Sequence, residues 1–545
     1  MIYFSTLFIS LFITISLIPL FRDLAIKANI VDIPNERKVH TIPVPKIGGV
    51  AMALGAILPV LLWTMKDPFV LSLLTGSAII TASGFVDDIF DLGYKPKFAA
   101  QIAAALMVII FGGIRITSLG MMLPEGFMLP DFVSIPLTLV VILGVTNAIN
   151  LSDGLDGLAG GISLLGFLCV GYLAYQGGEM SIVMFSVAIS GAIFGFLIFN
   201  TYPATVFMGD AGSQLLGFIA ISLAIALTQH NSVYNTVLPL ILLGFPILDT
   251  LTVMTERIAR GVSPFKADKN HFHHKLMKIG LLQKEAVLGI YFIQSSLVAA
   301  AIIFRFHSEW FVLTLYALFA GMIISLFHLA ERYGWKISRS DPFDRFIAGK
   351  LKILSDNNMV IRVSSPIVEI ALPLLLIINS LLAYDVPGYL SVICLIFVSL
   401  IVLTWVFRKA LLKRTIRICL YLTIPFVTYL SQNNPAGWIT FAVHNAYNLA
   451  FITVFFFVIL TLKYTRRQKG FRSTPMDFLI LFIALVLPNL SGGIQLTHQM
   501  GLLTVKILIF FFGFEILIGE LREKQDRIGY CAVAAMLIVA LKGAF

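Results

Sequence analysis

Long apolar runs separated by polar segments recur along the chain from its first residues to its last. A helix that crosses the roughly 30 Å apolar core of a bilayer needs about 20 consecutive apolar residues. By that criterion the sequence contains about 18 membrane spans, and it predicts an all-α fold, a polytopic bundle of transmembrane helices. The spans are predicted near 1–21, 48–64, 69–86, 98–114, 132–150, 158–176, 181–199, 213–229, 234–254, 286–305, 311–330, 366–384, 388–407, 416–431, 441–462, 476–490, 502–519 and 529–544.

The polar segments alternate in charge, and this alternation predicts the orientation. Segments rich in Lys and Arg collect on the cytoplasmic side of membrane proteins. The basic segments are 22–46, 95–97, 256–284, 332–362, 408–417, 463–472 and 522–527, whereas 65–68, 177–180, 230–233, 385–387, 432–440 and 491–501 are poor in Lys and Arg. The N-terminus is therefore predicted outside. Residues 1–21 lack a basic n-region and a small-residue cleavage site, so we interpret them as the first span.

Segment 331–365 is the best candidate for a domain boundary, because it is the longest polar stretch after the first spans. It predicts a domain at 1–330 with about 11 spans and an additional membrane domain at 366–545 with about seven. Loops before this linker hold Asp, Asn, His and Gly, whereas loops after it hold mainly Lys and Arg. No motif indicates the role of the second domain.

The composition excludes most other protein classes. Hydrophobic residues make up 58% of the chain and charged residues 12%, with a mean hydropathy of +0.93. A soluble domain carries about 25% charged residues, so a soluble enzyme, a disordered chain, collagen and a coiled coil are all excluded. The net charge of +10 fits basic cytoplasmic loops and implies no nucleic-acid partner. The four cysteines form no CxxC pair, so neither a disulfide framework nor a zinc ribbon is expected.

Two polar clusters at predicted cytoplasmic span ends suggest binding of metal and phosphate. In DIPNERKVHTIPVPKIGG (32–49), Lys38, His40 and Lys46 accompany prolines and a glycine pair, although an ordinary basic loop would look similar. In GFVDDIFDLG (84–93), Asp87 and Asp91 would share a helical face next to Asp88. Like charges at that spacing destabilise a helix, and carboxylates at a span end are costly, so a cation would relieve both penalties. Carboxylate and phosphate oxygens are the ligands that Mg²⁺ prefers.

A third cluster, NAINLSDGLDGLAGG (147–161), has a polar residue at every third position. Asn147, Asn150, Asp153 and Asp156 could form one stripe that hydrogen-bonds a base or sugar and holds a metal. The glycines among them allow close approach of the backbone. A calcium loop is the competing interpretation, but the acidic residue that would complete it is missing.

Two further clusters follow. FMGDAGSQLLG (207–217) carries Asp210 before a predicted helix, which by itself is a weak signal. RIARGVSPFKADKNHFHHKLMKIG (257–280) offers Arg260, Lys269 and three histidines, His271, His273 and His274. A zinc site would need a different spacing, and cations beside imidazoles suit a pyrophosphate better.

Together the clusters suit phosphoryl transfer from a water-soluble nucleotide donor to a lipid. A transporter or polymerase is the main alternative, but a transporter would place its polar groups near the middle of the membrane. A glycosyltransferase that moves sugar without phosphate is the second alternative. Direct attack by a lipid phosphate and a route through an aspartyl-phosphate both remain open at this stage.

The five motifs resemble those of the polyprenyl-phosphate N-acetylhexosamine-1-phosphate transferase family. The matching stretches are RKVHTIPVPKIGG (37–49), DDIFD (87–91), NAINLSDGLDGLAGG (147–161), FMGDAGS (207–213) and SPFKADKNHFHHKL (263–276), in family order and spacing. The resemblance covers about residues 1–330. It implies a multi-pass enzyme of the bacterial inner membrane with its active site on the cytoplasmic face. Such an enzyme moves HexNAc-1-phosphate from a UDP-sugar to polyprenyl phosphate and releases UMP.

The resemblance also implies roles for individual residues, with Mg²⁺ as the cofactor and Mn²⁺ as a substitute. The expected catalytic residues are Asp87, Asp88, His271, His273 and His274; the expected metal ligands are Asp210, Asn150 and Asp153; the expected substrate-binding residues are Asn147, Asp156, Asp91, Lys38, His40, Lys46, Arg260 and Lys269. The branch that acts on UDP-MurNAc-pentapeptide carries Lys where this chain has Asp91, so this chain resembles the UDP-GlcNAc branch. Further expected partners are membrane lipid, a second copy of the chain and downstream glycosyltransferases.

Overall fold

The computed structural model describes residues 2–32, 43–64, 67–230, 233–263, 270–336, 359–433, 441–464 and 525–543, and some positions between 502 and 517. The chain forms two compact units, the first built from residues 1–338 and the second from most of residues 339–545. Ten helices among the described residues are long and apolar enough to cross a membrane. The protein is therefore a multi-pass, all-helical membrane protein, with one small sheet in the first unit.

The first unit contains thirteen α-helices in its described residues. They are α1 (Ile2–Lys27), α2 (Gly48–Thr64), α3 (Pro68–Phe90), α4 (Tyr94–Ile110), α5 (Asp131–Leu151), α6 (Leu158–Gly177), α7 (Met180–Asn200), α8 (Gly209–His230), α9 (Leu238–Leu242), α10 (Gly244–Ala259), α11 (Phe272–Lys278), α12 (Gln283–Ile303) and α13 (Glu309–Arg332). Most of them coincide with a predicted span to within a few residues.

Local sequence signals fix several helix ends. Asp67 caps α3 by accepting a hydrogen bond from the Phe69 N–H at 3.0 Å, and Pro68 occupies the first helical position, where its missing N–H costs nothing. Ser308 caps α13 in the same way. The predicted span 234–254 differs from the structure, because it is interrupted at Leu243 between α9 and α10.

A two-stranded antiparallel sheet lies beside the bundle. Strand β1 (Val31–Asp32) pairs with β2 (Val44–Pro45), and Lys46 forms a parallel bridge with Phe207. The backbone of this segment also bonds the chain that enters α8, since the Gly49 N–H donates to the Met208 carbonyl at 2.9 Å. The sheet therefore anchors the 32–49 motif next to the start of α8.

Helix α8 forms the centre of the first unit and packs against α2, α3, α5 and α6. Its membrane-length stretch is buried in full. The backbones approach closely at its first turn. A Cβ at Gly49 would lie 2.1 Å from the Gly212 nitrogen, and one at Gly84 would lie 2.5 Å from the Ala211 nitrogen. Glycine at both positions lets α2 and α3 contact the beginning of α8 directly.

The second unit is also helical. Its named helices are Met359–Leu382, Gly388–Phe407, Lys409–Asn433, Phe441–Tyr464 and Gln525–Lys542, and the described positions between 502 and 517 are helical. Its buried core includes Leu372, Cys394, Ile424, Phe510, Phe514 and Val539. The predicted span at 476–490 lies outside the described residues.

Candidate active site

The paired aspartates of α3 meet the first turn of α8. The two oxygens of Asp88 accept hydrogen bonds from the backbone N–H groups of Asp210, at 3.0 Å, and Ala211, at 3.2 Å. The first N–H groups of a helix have no partner within the helix and attract negative charge. Asp88 therefore caps α8 from a neighbouring helix and fixes Asp210 next to the end of α3.

This cap depends on Gly209. The residue has φ +70°, in the left-handed region that favours glycine. A Cβ at this position would lie 2.3 Å from Asp88 Oδ2. The glycine thus provides both the backbone turn and the space for the Asp88 carboxylate.

Lys97 of α4 bridges two of the carboxylates. Its ammonium lies 2.6 Å from Asp87 Oδ2 and 3.0 Å from Asp210 Oδ2. The other oxygen of Asp87 accepts the Leu92 N–H at 2.8 Å, and the Asp87 side chain is buried. One ammonium group therefore forms ion pairs with two carboxylates that lie about 120 residues apart in the sequence. These ion pairs connect α3, α4 and α8.

Hydrogen bonds between side-chain amides and a hydroxyl also connect α4, α5 and α8. Gln101 of α4 bonds Gln214 of α8 at 3.0 Å and receives a hydrogen bond from Asn147 of α5 at 2.8 Å. Ser213 of α8 donates to Asn150 Oδ1 at 2.8 Å. Asn147 and Asn150 thus tie α5 to the base of the acidic cluster.

The turn between α5 and α6 contributes two more acids. Asp156 accepts the Ala204 N–H at 2.9 Å, whereas the carboxyl of Asp153 has no hydrogen-bond donor or cation within bonding distance among the described residues. Burial, together with the nearby charges of Asp210, Asp88 and Asp156, raises the pKa of Asp153 to about 7. Within the described part of the chain, Asp153 thus offers carboxyl oxygens to a ligand in a region of excess negative charge.

The α5–α6 turn is held from its other side by buried groups. The Gly157 N–H donates to Asn200 Oδ1 at 2.9 Å, and the Tyr291 hydroxyl of α12 donates to the Gly157 carbonyl at 2.6 Å. Both side chains are almost fully buried. They fix the turn that presents Asp153 and Asp156.

Lys46 adds a second cation. Its ammonium lies 3.1 Å from Asp32 Oδ1 across the small sheet. Burial lowers the pKa of Lys46, but the charge of Asp32, with smaller contributions from Asp88 and Asp210, outweighs burial and leaves the pKa raised. Lys46 therefore stays charged beside the acidic cluster.

The histidine motif lies against the α5–α6 turn. His271 Nδ1 lies 2.8 Å from Asp249 Oδ2 of α10, and the other oxygen of Asp249 accepts the Phe272 N–H at 2.7 Å. His273 contacts Gly154, where an added Cβ would lie 2.5 Å from His273 Nε2. Burial first, and then His274, lower the pKa of His273 to about 3, so it is neutral at physiological pH.

Other predicted residues lie in different surroundings. The interpretation that Asp91 shares a helical face with Asp87 is wrong, because α3 ends at Phe90 and Asp91 turns outward into solvent with φ 49°. Arg260, 59% exposed, pairs with Glu256 at 3.5 Å, and the same acid receives Lys275 at 2.6 Å. Lys38, His40 and Lys269 lie outside the described residues.

The sequence analysis missed three groups at this site. The sequence analysis used Lys97 only as one of the basic residues that predict the orientation, and Gln101 lies inside the predicted span 98–114. Asp249 is 2% exposed and lies within the predicted span 234–254. An ionisable residue in a span is by default a candidate functional residue, and that signal would have identified Asp249.

The donor set of this cluster fits a hard divalent cation. Carboxylate oxygens from Asp153 and Asp210 lie within electrostatic range of one another, and Mg²⁺ is held by one or two carboxylates together with substrate phosphates. Among the described residues, no three His, Cys, Asp or Glu side chains already converge as a metal cage. A metal here would therefore need oxygens from the substrate to complete its coordination.

Comparison with known proteins gives a consistent result. The glycosyl transferase family 4 model matches residues 70–228. The chain is 36% identical over 341 residues to a probable undecaprenyl-phosphate N-acetylglucosaminyl 1-phosphate transferase of Bacillus subtilis, covering 62% of this chain and 94% of that protein. It is 30% identical over 344 residues to the undecaprenyl-phosphate alpha-N-acetylglucosaminyl 1-phosphate transferase of Escherichia coli K12, covering 62% and 93%. The Yersinia pestis protein of the same name is 31% identical over 326 residues, covering 58% and 88%.

Proposed function

This chain belongs to glycosyl transferase family 4, and we propose that it transfers GlcNAc-1-phosphate from UDP-GlcNAc to undecaprenyl phosphate and releases UMP. The reaction would begin the assembly of a lipid-linked cell-envelope polysaccharide. The observation that carries the proposal is the joining of α3, α4 and α8 through Asp87, Asp88, Asp210 and Lys97. That cluster combines acids for a metal with a cation for phosphate. The relatives' names supply the donor sugar and the lipid acceptor.

Mg²⁺ is the metal that we propose, with Mn²⁺ as a substitute. Asp153 and Asp210 would hold it, Asp153 because its carboxyl has no partner among the described residues and Asp210 because the Asp88 cap fixes its position. The bound metal would neutralise negative charge that develops on the donor pyrophosphate. Lys97 and Lys46 add positive charge from the protein itself, and Asn150 and Asn147 keep α5 in place.

The lipid phosphate is the proposed nucleophile. Its second pKa lies near 6, the value known for phosphorylated side chains, so it is mostly ionised at pH 7. One of its oxygens attacks the sugar-linked phosphorus in line, the bond from that phosphorus to the bridging oxygen breaks, and UMP leaves with that oxygen. Both oxygens of Asp87 and both of Asp88 already accept hydrogen bonds or a salt bridge. This favours direct attack over a route through an aspartyl-phosphate.

The histidine motif forms the other side of the site in this proposal. The Asp249 carboxylate accepts hydrogen bonds from His271 Nδ1 and from the Phe272 N–H. These two bonds fix the orientation of the His271 imidazole. His273 is neutral and lies against the turn that carries Asp153, so it can exchange a hydrogen bond with the donor sugar or phosphates without adding charge. His274 lies beside it, with ring centroids 4.2 Å apart and the ring planes tilted by 44°.

We further propose the orientation that the charged loops predict: about 18 spans, the N-terminus outside and the active site on the cytoplasmic face of the bacterial inner membrane. The acidic cluster is built from the end of α3, the start of α8 and the α5–α6 turn. Three residues from basic segments, Lys46, Lys97 and His273, lie beside it. A second copy of the chain and downstream glycosyltransferases are partners to test for.

The reaction can be tested with isotope in the β-phosphate of UDP-GlcNAc. Phosphosugar transfer puts this label into the lipid fraction and releases UMP, whereas plain glycosyl transfer leaves the label in released UDP. We expect label in lipid, a requirement for Mg²⁺, and return of the label to the aqueous phase on addition of UMP, because one pyrophosphate bond is exchanged for another.

Variants link this result to the site. Asp210→Asn and Asp87→Asn should each nearly abolish labelling while the protein still inserts into the membrane, because each loses charge needed for metal or phosphate. Asp23→Asn is the matched control, since Asp23 is exposed and, among the described residues, forms an ion pair only with its neighbour Arg22. Label that stays in UDP would reject the reaction, and wild-type rates in Asp210→Asn would reject the assigned site.

A further inference from the structure

The second unit contains a lysine that is almost completely buried. Lys506 is 2% exposed, and its ammonium donates to Gln432 Oε1 at 2.5 Å. The ring of Tyr447 lies 4.4 Å and the ring of Phe451 5.6 Å from the ammonium nitrogen. Aromatic faces attract a cation at these distances. The ammonium is therefore enclosed by side chains from three helices of this unit, and we call this enclosure the Lys506 pocket.

Its charge has no acidic partner. Among the described residues no carboxylate pairs with Lys506, and Gln432 accepts only one of the three ammonium N–H groups. A buried charge without a counter-ion is costly, and an ionisable residue within a membrane segment is most often functional. An anion that bound here would remove this cost and could use the two remaining N–H donors.

The walls of the pocket are held in position by a buried polar network. The Tyr447 hydroxyl and the Ser431 hydroxyl both donate to Asn379 Oδ1 at 2.5 Å, and the Asn379 amide donates to Thr428 Oγ1 at 2.9 Å. All four side chains are buried. The network provides two donors for the Asn379 oxygen and an acceptor for one of its N–H groups, and it fixes the Tyr447 ring, so the cation and its aromatic wall are arranged before any ligand arrives.

The pocket lies at one end of the second unit. Gln432 is the penultimate residue of Lys409–Asn433, Asn379 lies in the last turn of Met359–Leu382, and Tyr447 lies about 9 Å along Phe441–Tyr464 from its start, at 1.5 Å per residue. Lys409 and Lys463, which belong to basic segments, lie at the opposite ends of Lys409–Asn433 and Phe441–Tyr464. In the orientation proposed above, Lys506 is thus near the external face, away from the positive charge of the cytoplasmic loops.

We propose that Lys506, Gln432 and the rings of Tyr447 and Phe451 form a binding site for a phosphate or pyrophosphate group. A lysine ammonium is a compact point charge suited to a phosphate oxygen. The depth of the pocket within a membrane domain suits the head of an anionic lipid, and free pyrophosphate offers the same chemistry. This inference is independent of the transferase reaction, since every residue in it belongs to the second unit.

Native mass spectrometry of the full-length protein in detergent can count bound ligands. The probes are undecaprenyl phosphate, its uncharged alcohol undecaprenol, and inorganic pyrophosphate. The variants are Lys506→Gln, Lys506→Arg, which keeps the cation, and Lys409→Gln, which removes a cation from an exposed position in the same unit. We expect Lys506→Gln to bind one phosphate-bearing ligand fewer than the wild type, with at least tenfold lower occupancy, while the other two variants match the wild type.

The probes identify the source of the phosphate. If Lys506→Gln binds less undecaprenyl phosphate but as much pyrophosphate as the wild type, the site takes a lipid head group. If it binds less of both, the free anion suffices. If Lys506→Gln binds both anionic probes as the wild type does, the proposal is overturned. It is also overturned if the substitution lowers the binding of uncharged undecaprenol as much as that of undecaprenyl phosphate. If Lys506→Gln does not fold, Gln432→Leu removes the group that orients the ammonium and should lower occupancy of the same ligand.

Discussion

Substituting Gly209 by alanine tests whether the Asp88 cap holds the active site together. The backbone of Gly209 has φ +70°, which costs a residue with a Cβ about 1–2 kcal/mol. The new Cβ would also lie 2.3 Å from Asp88 Oδ2, so the carboxylate must move by about 1 Å to reach ordinary van der Waals contact. That movement breaks its hydrogen bonds to the Asp210 and Ala211 N–H groups.

The matched control is Gly178→Ala. Gly178 has φ +78°, but a Cβ there meets nothing within 4 Å. Both substitutions therefore carry the backbone strain, and only the change at Gly209 displaces Asp88. Two hydrogen bonds to a charged group are worth about 1.5–3 kcal/mol each, so the two variants should differ by about 3–6 kcal/mol. If this difference in free energy raises the activation barrier of the reaction by the same amount, the turnover rates of the two variants should differ by about two to four orders of magnitude.

The assay is UMP release by purified protein at saturating Mg²⁺ and substrates, with a thermal melt of each variant. Gly178→Ala should keep turnover close to the wild type. Gly209→Ala should lose at least a hundredfold and melt at a lower temperature, since the beginning of α8 loses its cap. Equal turnover and equal melting in the two variants would show that the contact between Asp88 and α8 is not needed, and the account of the site would fail.

Three further predictions follow from the same structure. A reporter fused after Gly93 should read cytoplasmic and one fused after Gly178 external; the reverse result for either one would break the orientation model. A protein truncated after Lys352 should retain measurable transferase activity, because every described residue of the site precedes that position. Complete loss of activity in a truncated protein that inserts normally would show that the second unit is needed for catalysis. Asp153→Asn should raise the melting temperature in EDTA at pH 8, because the raised pKa of Asp153 means that its ionisation is unfavourable in the folded state; the gain should shrink as the pH falls below about 7 and vanish only below the ordinary pKa of 3.8, where both the folded and the unfolded chain carry a protonated Asp153. A melting temperature that does not change with pH in this way would contradict the crowding of negative charge around Asp153.

The sequence predicted most helices well because the bilayer makes the signal strong. A span needs a long apolar run, and few polar residues interrupt one without a reason. The predicted span 234–254 is not one continuous helix, because Leu243 separates α9 from α10. Gly244 and Pro246 mark that break in the sequence, since Pro246 has no N–H to bond the Leu242 carbonyl. The Gln294 side chain of α12 donates to that carbonyl and accepts the Phe245 N–H. Such a contact from a distant helix is not visible in a local hydrophobic pattern.

The candidate site was only partly predictable for a similar reason. Motifs with acids and histidines indicate chemistry by composition, and Asp87, Asp88 and Asp210 do lie together. Sequence could not show which acid caps a helix and which is left without a partner. Asp88 and Asp153 look alike in the sequence, yet Asp88 accepts two backbone N–H groups, whereas Asp153 has no donor in the part of the chain that the structure describes. Partners such as Lys97 are identified only by tertiary packing.

The complete burial of α8 has a consequence for how the protein is made. A helix with no surface for lipid gains little from lying alone in a bilayer, so it should remain loosely held until its neighbours surround it. Its main partners, α2, α3, α5 and α6, all precede it in the chain, so they are already synthesised when Gly209 leaves the ribosome. The carboxylates can then assemble at once, whereas Asp249, His271 and Tyr291 arrive later. The order of translation thus separates construction of the acidic side of the site from that of its imidazole side.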